Sequence, residues 1–315
     1  MQVTQRFAQL LTKNVGSVIV GKESAIELMM IAILCRGHVL IEDVPGVGKT
    51  TLASAIARSL DCSFRRIQFT PDITPSDITG FSIANFKTGE LEYRPGMIMS
   101  QIVLADEINR TSPKTQSALL EVMEEGQVSV DGNTYPMPQP FIVLATQNPV
   151  GSAGTMLLPN SQLDRFLIRV SMGYPDFESQ ISILRDRHTH DPLADVRAVV
   201  DREELTDLME QAAQVEVHDR IYAYVTHLAE ATRTHPLVEL GVSPRGALAV
   251  CRMAKAYALL HGRDFVMPED VAAIFPDVCT HRLVLSAKAR MLEQPADAVL
   301  REILDAVDMP VLRER

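Results

Sequence analysis

Apolar residues follow two rhythms along this chain, and the rhythm changes near residue 173. In the first half, short apolar runs alternate with stretches of helical period. That alternation predicts a parallel sheet covered by helices. The runs are His38–Glu42, Phe64–Phe69, Gln101–Asp106, Phe141–Gln147 and Phe166–Met172, each bounded by turn or polar residues. Two stretches depart from this pattern. "GFSIANFKTGELEYRPG" (Gly80–Gly96) has two roughly alternating runs around a Lys-Thr-Gly turn, and "GQVSVDGNTY" (Gly126–Tyr135) alternates toward an Asp-Gly turn. Both predict hairpins inserted into the α/β core. Past "SMGYPDFESQ" (Ser171–Gln180) helical patterns dominate to the C-terminus. No strand is expected there, and breaks are expected at His190–Pro192, His235–Pro236 and Phe275–Pro276. The expected division is an α/β core over residues 1–173 and a smaller all-helical domain over 174–315.

Composition narrows the class. The 315 residues are 46% hydrophobic and 22% charged, enough apolar content for a sizeable core in about two domains. The net charge of −10 argues against a nucleic-acid partner, because phosphate contacts dominate that affinity. Cys35, Cys62, Cys251 and Cys279 are widely spaced, which argues against a zinc site and suits small buried residues in a reducing compartment. The start, MQVTQRFAQL, lacks the pattern of a signal peptide. The longest apolar run, Leu28–Cys35, is too short to span a bilayer, and reads as a buried helix before the first strand. A cytoplasmic protein with no direct membrane insertion is expected.

The chemistry starts at "IEDVPGVGKTTL" (Ile41–Leu52), where an apolar strand runs into a turn and a helix start. The phosphate-binding pattern is GxxxxGK[ST]. Gly48, Lys49 and Thr50 supply its end, while Asp43 stands at the first glycine position. Pro45, Gly46, Val47 and Gly48 would form the loop, with Lys49, Thr50 and Thr51 opening the helix. Amides at such a helix start cradle phosphates. Lys49 would reach the β- and γ-phosphates of a nucleotide, and the Thr50 hydroxyl would hold Mg²⁺. In "QIVLADEINR" (Gln101–Arg110) an apolar strand ends in Asp106 and Glu107. Neighbouring strand side chains point opposite ways, so Asp106 can serve the Mg²⁺ shell and Glu107 can polarise a water. "FIVLATQNP" ends in Thr146, Gln147 and Asn148, and Asn148 would lie beside these acids, where it could orient the water or simply turn the chain before Pro149. In "LPNSQLDRFLIRV", Arg165 precedes a strand and could pair with Asp164 or another acid. In "GVSPRGALAV", Ser243 suits an N-cap and Pro244 the first helical position. Arg245 then falls in a first turn, where the helix dipole disfavours a cation. It needs an anionic partner, either a carboxylate or a nucleotide phosphate. His188 and His190 form a pair with no evident third ligand, and His38 and His281 suit structural roles.

"EDVPGVGKT", "VLADEINR", "EEGQVSVDG", "LATQNP", "LDRF" and "SPR", in this order, resemble AAA+ ATPases, and specifically the MoxR family. The resemblance runs from about Val18 to Ser286. It implies a five-stranded αβα core, a helical lid, and a hexameric ring with ATP between subunits. It implies Walker A roles for Lys49 and Thr50, and Walker B roles for Asp106 and Glu107. Asn148 is similar to sensor 1, Arg165 to the arginine finger, and Arg245 to sensor 2. Val20 and Gly21 would touch adenine, and Arg110 the adjacent subunit. MoxR-like proteins imply chaperone-like remodelling, assembly or metal and cofactor insertion, with partners carrying von Willebrand factor A domains. A magnesium-chelatase-type ATPase subunit is the alternative. A nucleic-acid motor would want basic hairpin tips, whereas the first hairpin offsets Lys87 and Arg94 with Glu90 and Glu92, and the second carries Asp131.

Overall fold

The computed structural model describes residues 2–87, 89–147, 158–186 and 191–311. The strands of the first half, in chain order, are β1 (Val39–Glu42), β2 (Phe64–Gln68), β3 (Gly80–Ala84), β4 (Leu91–Pro95), β5 (Ile102–Asp106), β6 (Gln127–Val130), β7 (Asn133–Pro136), β8 (Ile142–Gln147) and β9 (Ile168–Val170). Five of them form one sheet in the order β2-β5-β8-β1-β9. All its neighbours are parallel. These five are the expected runs, trimmed at their ends. The remaining four form the two expected hairpins, β3 with β4 and β6 with β7, both antiparallel. The hairpins touch through a stack of Tyr93 on Tyr135, with ring centroids 3.8 Å apart.

The helices of the first half are α1 (Gln2–Gly16), α2 (Glu23–Leu34), α3 (Lys49–Ser59), α4 (Pro75–Thr79), α5 (Pro113–Glu125), α6 (Asn160–Leu163) and α7 (Phe177–Asp186). The C-terminal helices are α8 (Arg202–Gln214), α9 (Asp219–Thr234), α10 (Pro244–Leu260), α11 (Pro268–Cys279), α12 (Ala287–Met291) and α13 (Ala296–Ala306). Alternate strand residues serve opposite faces of the sheet. Val39, Ile41, Ile102, Leu104, Ile142 and Leu144 enter a cluster with α1–α3 and the C-terminal helices. Leu40, Val103, Ala105, Val143 and Ala145 enter a second cluster with α5 and Val128 of β6. Both faces of the inner strands are covered, which explains why β1, β5 and β8 read as nearly unbroken apolar runs, while the edge strand β2 keeps polar residues. The apolar run Leu28–Cys35 is buried in α2, apart from a half-buried Leu28.

Two expectations for the C-terminal half are corrected. A short antiparallel ribbon pairs Val238–Leu240 with Val284–Leu285. Segments this short carry no legible alternation, so only their meeting across the fold creates the pairing. The break expected at Phe275–Pro276 does not occur, and Pro276 lies inside α11. Proline removes one backbone hydrogen bond. Here Ile274, Phe275, Val278 and Cys279 around it are fully buried, and their packing holds the helix. The break expected at His235–Pro236 falls at the end of α9, and the one expected at His190–Pro192 lies partly outside the described residues. His38 is structural, as expected. Its Nδ1 accepts from Val143 N at 2.9 Å, and its Nε2 lies 2.9 Å from Met123 O.

Candidate nucleotide-binding site

The loop between β1 and α3 lies beyond the carboxyl end of a central strand, where open α/β sheets bind ligands. Gly46 and Gly48 have φ of 88° and 93°, a left-handed conformation that suits glycine. Gly48 is the N-cap position of α3, so the first-turn amides of α3 face the loop. Asp43, at the first glycine position of the pattern, staples this loop to the end of β9. Its Oδ2 accepts from the amides of Met172 at 2.5 Å and Gly173 at 3.0 Å. A carboxylate here does work that a glycine could not, which explains the departure from the strict pattern. Lys49 is 8% exposed, and its Nζ donates to Asp43 O at 2.7 Å. Burial lowers its pKa, opposed by the nearby charges of Asp43, Asp106 and Glu107.

One cleft gathers Gly46, Gly48, Lys49, Thr50, Asp106 and Glu107, so the two motifs meet in space. Thr146 of β8 ties both acids together. Its hydroxyl donates to Asp106 Oδ1 at 2.6 Å and accepts from Glu107 N at 2.9 Å. Glu107 has φ 58° and ψ 48°, a left-handed conformation that costs a non-glycine residue about 1 kcal/mol or more. This turn carries Glu107 away from the sheet line while Asp106 stays in it. Arg66 and Gln68 share one face of β2 and reach the same acids. Arg66 Nη2 donates to Asp106 Oδ2 at 2.6 Å, and Gln68 Nε2 to Glu107 Oε2 at 2.8 Å. Arg110 Nη1 also donates to Glu107 Oε2, at 2.8 Å. Thr146, Arg66 and Gln68 received no role from the sequence. The one available signal was the polar pair Arg66 and Gln68 at period two inside "FRRIQF".

Thr50 and Asp106 offer a hydroxyl and a carboxylate in one cleft. That hard-oxygen donor set fits Mg²⁺, which keeps waters and phosphate oxygens as its other ligands. A second cleft of about 240 Å³ adjoins the loop and is lined by Val18, Ile19, Val20, Pro45, Tyr174 and Ile183, among others. Gly21 does not line this cleft. Its φ of 72° is a left-handed conformation that favours glycine, and a Cβ there would lie 2.4 Å from Ser179 Oγ. Asn148, His188 and His190 lie outside the described residues.

Arg165 and Arg245 converge on Glu124 and do not line the cleft. Arg165 Nε donates to Glu124 Oε2 at 2.8 Å, and Arg245 Nη1 to Glu124 Oε1 at 2.9 Å. In this structure Arg245 has a carboxylate as its anionic partner. Hydrogen bonds and charge from both arginines hold the Glu124 carboxyl below its usual pKa. This trio sits at the amino-terminal end of the strands. Leu167 N donates to His38 O at 2.7 Å just ahead of β1, and Met123 O contacts His38. The phosphate loop leaves the opposite end of β1, about 13 Å of strand away.

A glycine loop after β1, paired acids at the end of β5, a five-stranded parallel sheet and a helical lid define an AAA+ nucleoside triphosphatase. Residues 38–168 match the model of the "ATPase family associated with various cellular activities (AAA)", and residues 230–303 match the "AAA lid domain". The chain is 50% identical over 301 residues to the YeaC protein of Bacillus subtilis, covering 96% of this chain and 94% of that one. It is 41% identical over 306 residues to the chaperone MoxR1 of Mycobacterium tuberculosis, covering 94% of this chain and 81% of that one. A crystal structure from Cytophaga hutchinsonii superimposes with a TM-score of 0.89 at 35% identity, over 98% of this chain and 96% of that one. The chain belongs to the MoxR family of AAA+ ATPases. Among the described residues, no helix is long and apolar enough to cross a membrane.

Proposed function

We propose that this ATPase hydrolyses ATP at the contacts between subunits of a hexameric ring and uses the cycle to remodel or assemble partner proteins, including insertion of metals or cofactors. The observation that carries this reading is the separation of the cleft from the Arg165–Glu124–Arg245 group at opposite ends of the sheet. Neither arginine lines its own subunit's cleft, which supports a reading in which a neighbour's pair completes the site.

Lys49 binds the β- and γ-phosphate oxygens, and the amides of Gly46–Thr51 orient the chain of phosphates. Mg²⁺ held by Thr50 and Asp106 would neutralise charge on the phosphate oxygens. Glu107 aligns and polarises the attacking water, and Asn148 orients it. Arg165 and Arg245 of the adjacent subunit steady the charge that develops on the transferring group. Arg110 lies beside Glu107 and would face that subunit. The apolar cleft at Val18–Val20 and Tyr174 takes the base. Partners carrying von Willebrand factor A domains are the proposed clients. A cytoplasmic address is proposed from four free thiols. Likeness to the chaperone MoxR1 along almost the whole chain favours this reading over a magnesium-chelatase subunit.

Two measurements test it. Specific ATPase activity should rise with protein concentration through the range where the ring assembles, and flat activity across that range would remove the shared site. Glu107→Gln should retain ATP while slowing hydrolysis by about 10²–10⁴-fold. That trapped form should co-purify with a von Willebrand factor A protein, and lose it in the Lys49→Ala background. Recovery of nucleic acid instead would reopen the motor reading.

A further inference from the structure

Arg282 lies just past α11 in the C-terminal helical region, yet it is 7% exposed and its hydrogen bonds converge on the segment that carries Arg165. Its Nε donates to Asp164 Oδ1 at 2.7 Å, Nη2 to Phe166 O at 2.7 Å, and Nη1 to Leu167 O at 3.0 Å. Asp164 in turn reaches α10. Its Oδ2 accepts from Ser243 Oγ at 3.2 Å, and the same Ser243 oxygen caps α10 by accepting from Gly246 N at 3.1 Å. Asp164 thus sits one residue from Arg165, and its partner Ser243 two residues from Arg245. Gly246 makes room for this arrangement. A Cβ there would lie 2.9 Å from Arg282 Cδ and 2.7 Å from Val242 Cγ1. Glycine in a helix is otherwise unfavourable, so its place in the first turn of α10 is explained by the passage of Arg282.

We propose that Asp164 and Arg282 are positioning residues that lock Arg165 and Arg245 into one rigid unit, so that the helical region sets the aim of both arginines toward the neighbouring subunit. This rests on the reading that the two arginines complete a neighbour's site. Neither Asp164 nor Arg282 lines the cleft at the glycine loop, and their effect passes through the pair. A small shift of the C-terminal helices would swing both arginines together, and a misplacement near 1 Å is worth on the order of 10²-fold in rate.

The test uses mixed rings of full-length chains. Asp164→Asn alone should lose on the order of 10²-fold in kcat, while its equilibrium affinity for a fluorescent ATP analogue stays within a few-fold of the parent. Mixed with Glu107→Gln subunits, which cannot hydrolyse but carry sound arginines, it should regain activity above the sum of the two alone. Gly246→Ala should behave the same way with an intact Asp164 and a fully formed α10, which separates aim from folding. Arg165→Ala is the control. If Arg165→Ala is restored in the mixture and Asp164→Asn and Gly246→Ala are not, the positioning role is overturned and the shared site stands. If Arg165→Ala is not restored either, both readings fall. Full kcat in Asp164→Asn alone would also overturn the proposal.

Discussion

The two ends of the central sheet are built by different means. At the carboxyl end, the site is mostly local backbone. One loop of consecutive residues bends through two left-handed glycines and delivers its amides and Lys49 to a single point. The acids opposite it are adjacent in sequence and are tied by one hydroxyl. At the amino end, the site is mostly long side chains from distant segments. Glu124, Arg165 and Arg245 come from three elements and are partly exposed. Their order comes from behind, through the contact of half-buried Asp164 with buried Arg282. The first end is complete within one loop and one strand end. The second depends on side chains that other elements hold in place, which suits the proposed role of its arginines at a neighbouring subunit.

The sharpest way to break this contrast is Arg165→Ala. It should lose about 10³–10⁵ in kcat with little change in nucleotide affinity, read by steady-state hydrolysis beside equilibrium binding. An affinity loss matching that of Lys49→Ala would place Arg165 in its own subunit's cleft and erase the distinction. A smaller effect should appear in Asp43→Ala. It strands the amides of Met172 and Gly173 and should lower stability by about 1–3 kcal/mol, read by chemical denaturation. Asp43→Asn keeps an acceptor oxygen and should recover part of the loss. No change in either variant would show that the loop does not depend on its staple.

The smallest effect belongs to Glu124→Gln. The Glu124 carboxyl is held below its ordinary value near 4.5 by Arg165 and Arg245. An acid with a depressed folded-state pKa contributes stability above its unfolded pKa, and loses it as pH falls through the folded value. Thermal melts of parent and variant should therefore run parallel from pH 8 to 5 and converge below about 4.5. The offset above pH 5 should be small, because partly exposed ion pairs contribute little. A large offset would mean the amino end is as tightly built as the carboxyl end.

Legibility followed the same division. The five strands and both hairpins were readable, because burial on two faces and turn residues leave marks within a few positions. Lys49, Thr50, Asp106 and Glu107 were readable because their chemistry needs them next to a turn or a strand end. Thr146, Gln68 and Arg66 were not, since each is an ordinary strand residue until the strand order sets it beside an acid. The ribbon of Val238–Leu240 with Val284–Leu285 and the unbroken α11 were also hidden, because both depend on contacts between segments far apart in the chain.

The awkward first-turn position of Arg245 announced an anionic partner, but Glu124 lies far from it in sequence, and no local rule could choose it over a phosphate. Asp43 announced a departure from a pattern, and only the return of Met172 and Gly173 beside it gave the reason. By itself, then, the sequence determined what hydrogen-bond geometry and apolar periodicity dictate over a few residues: the phosphate loop, the paired acids, the strands and the class of protein they make. The tertiary structure alone decided which arginine answers which carboxylate and at which end of the sheet, because those choices are made by side chains converging from separate elements, where distance along the chain carries no information about distance in space.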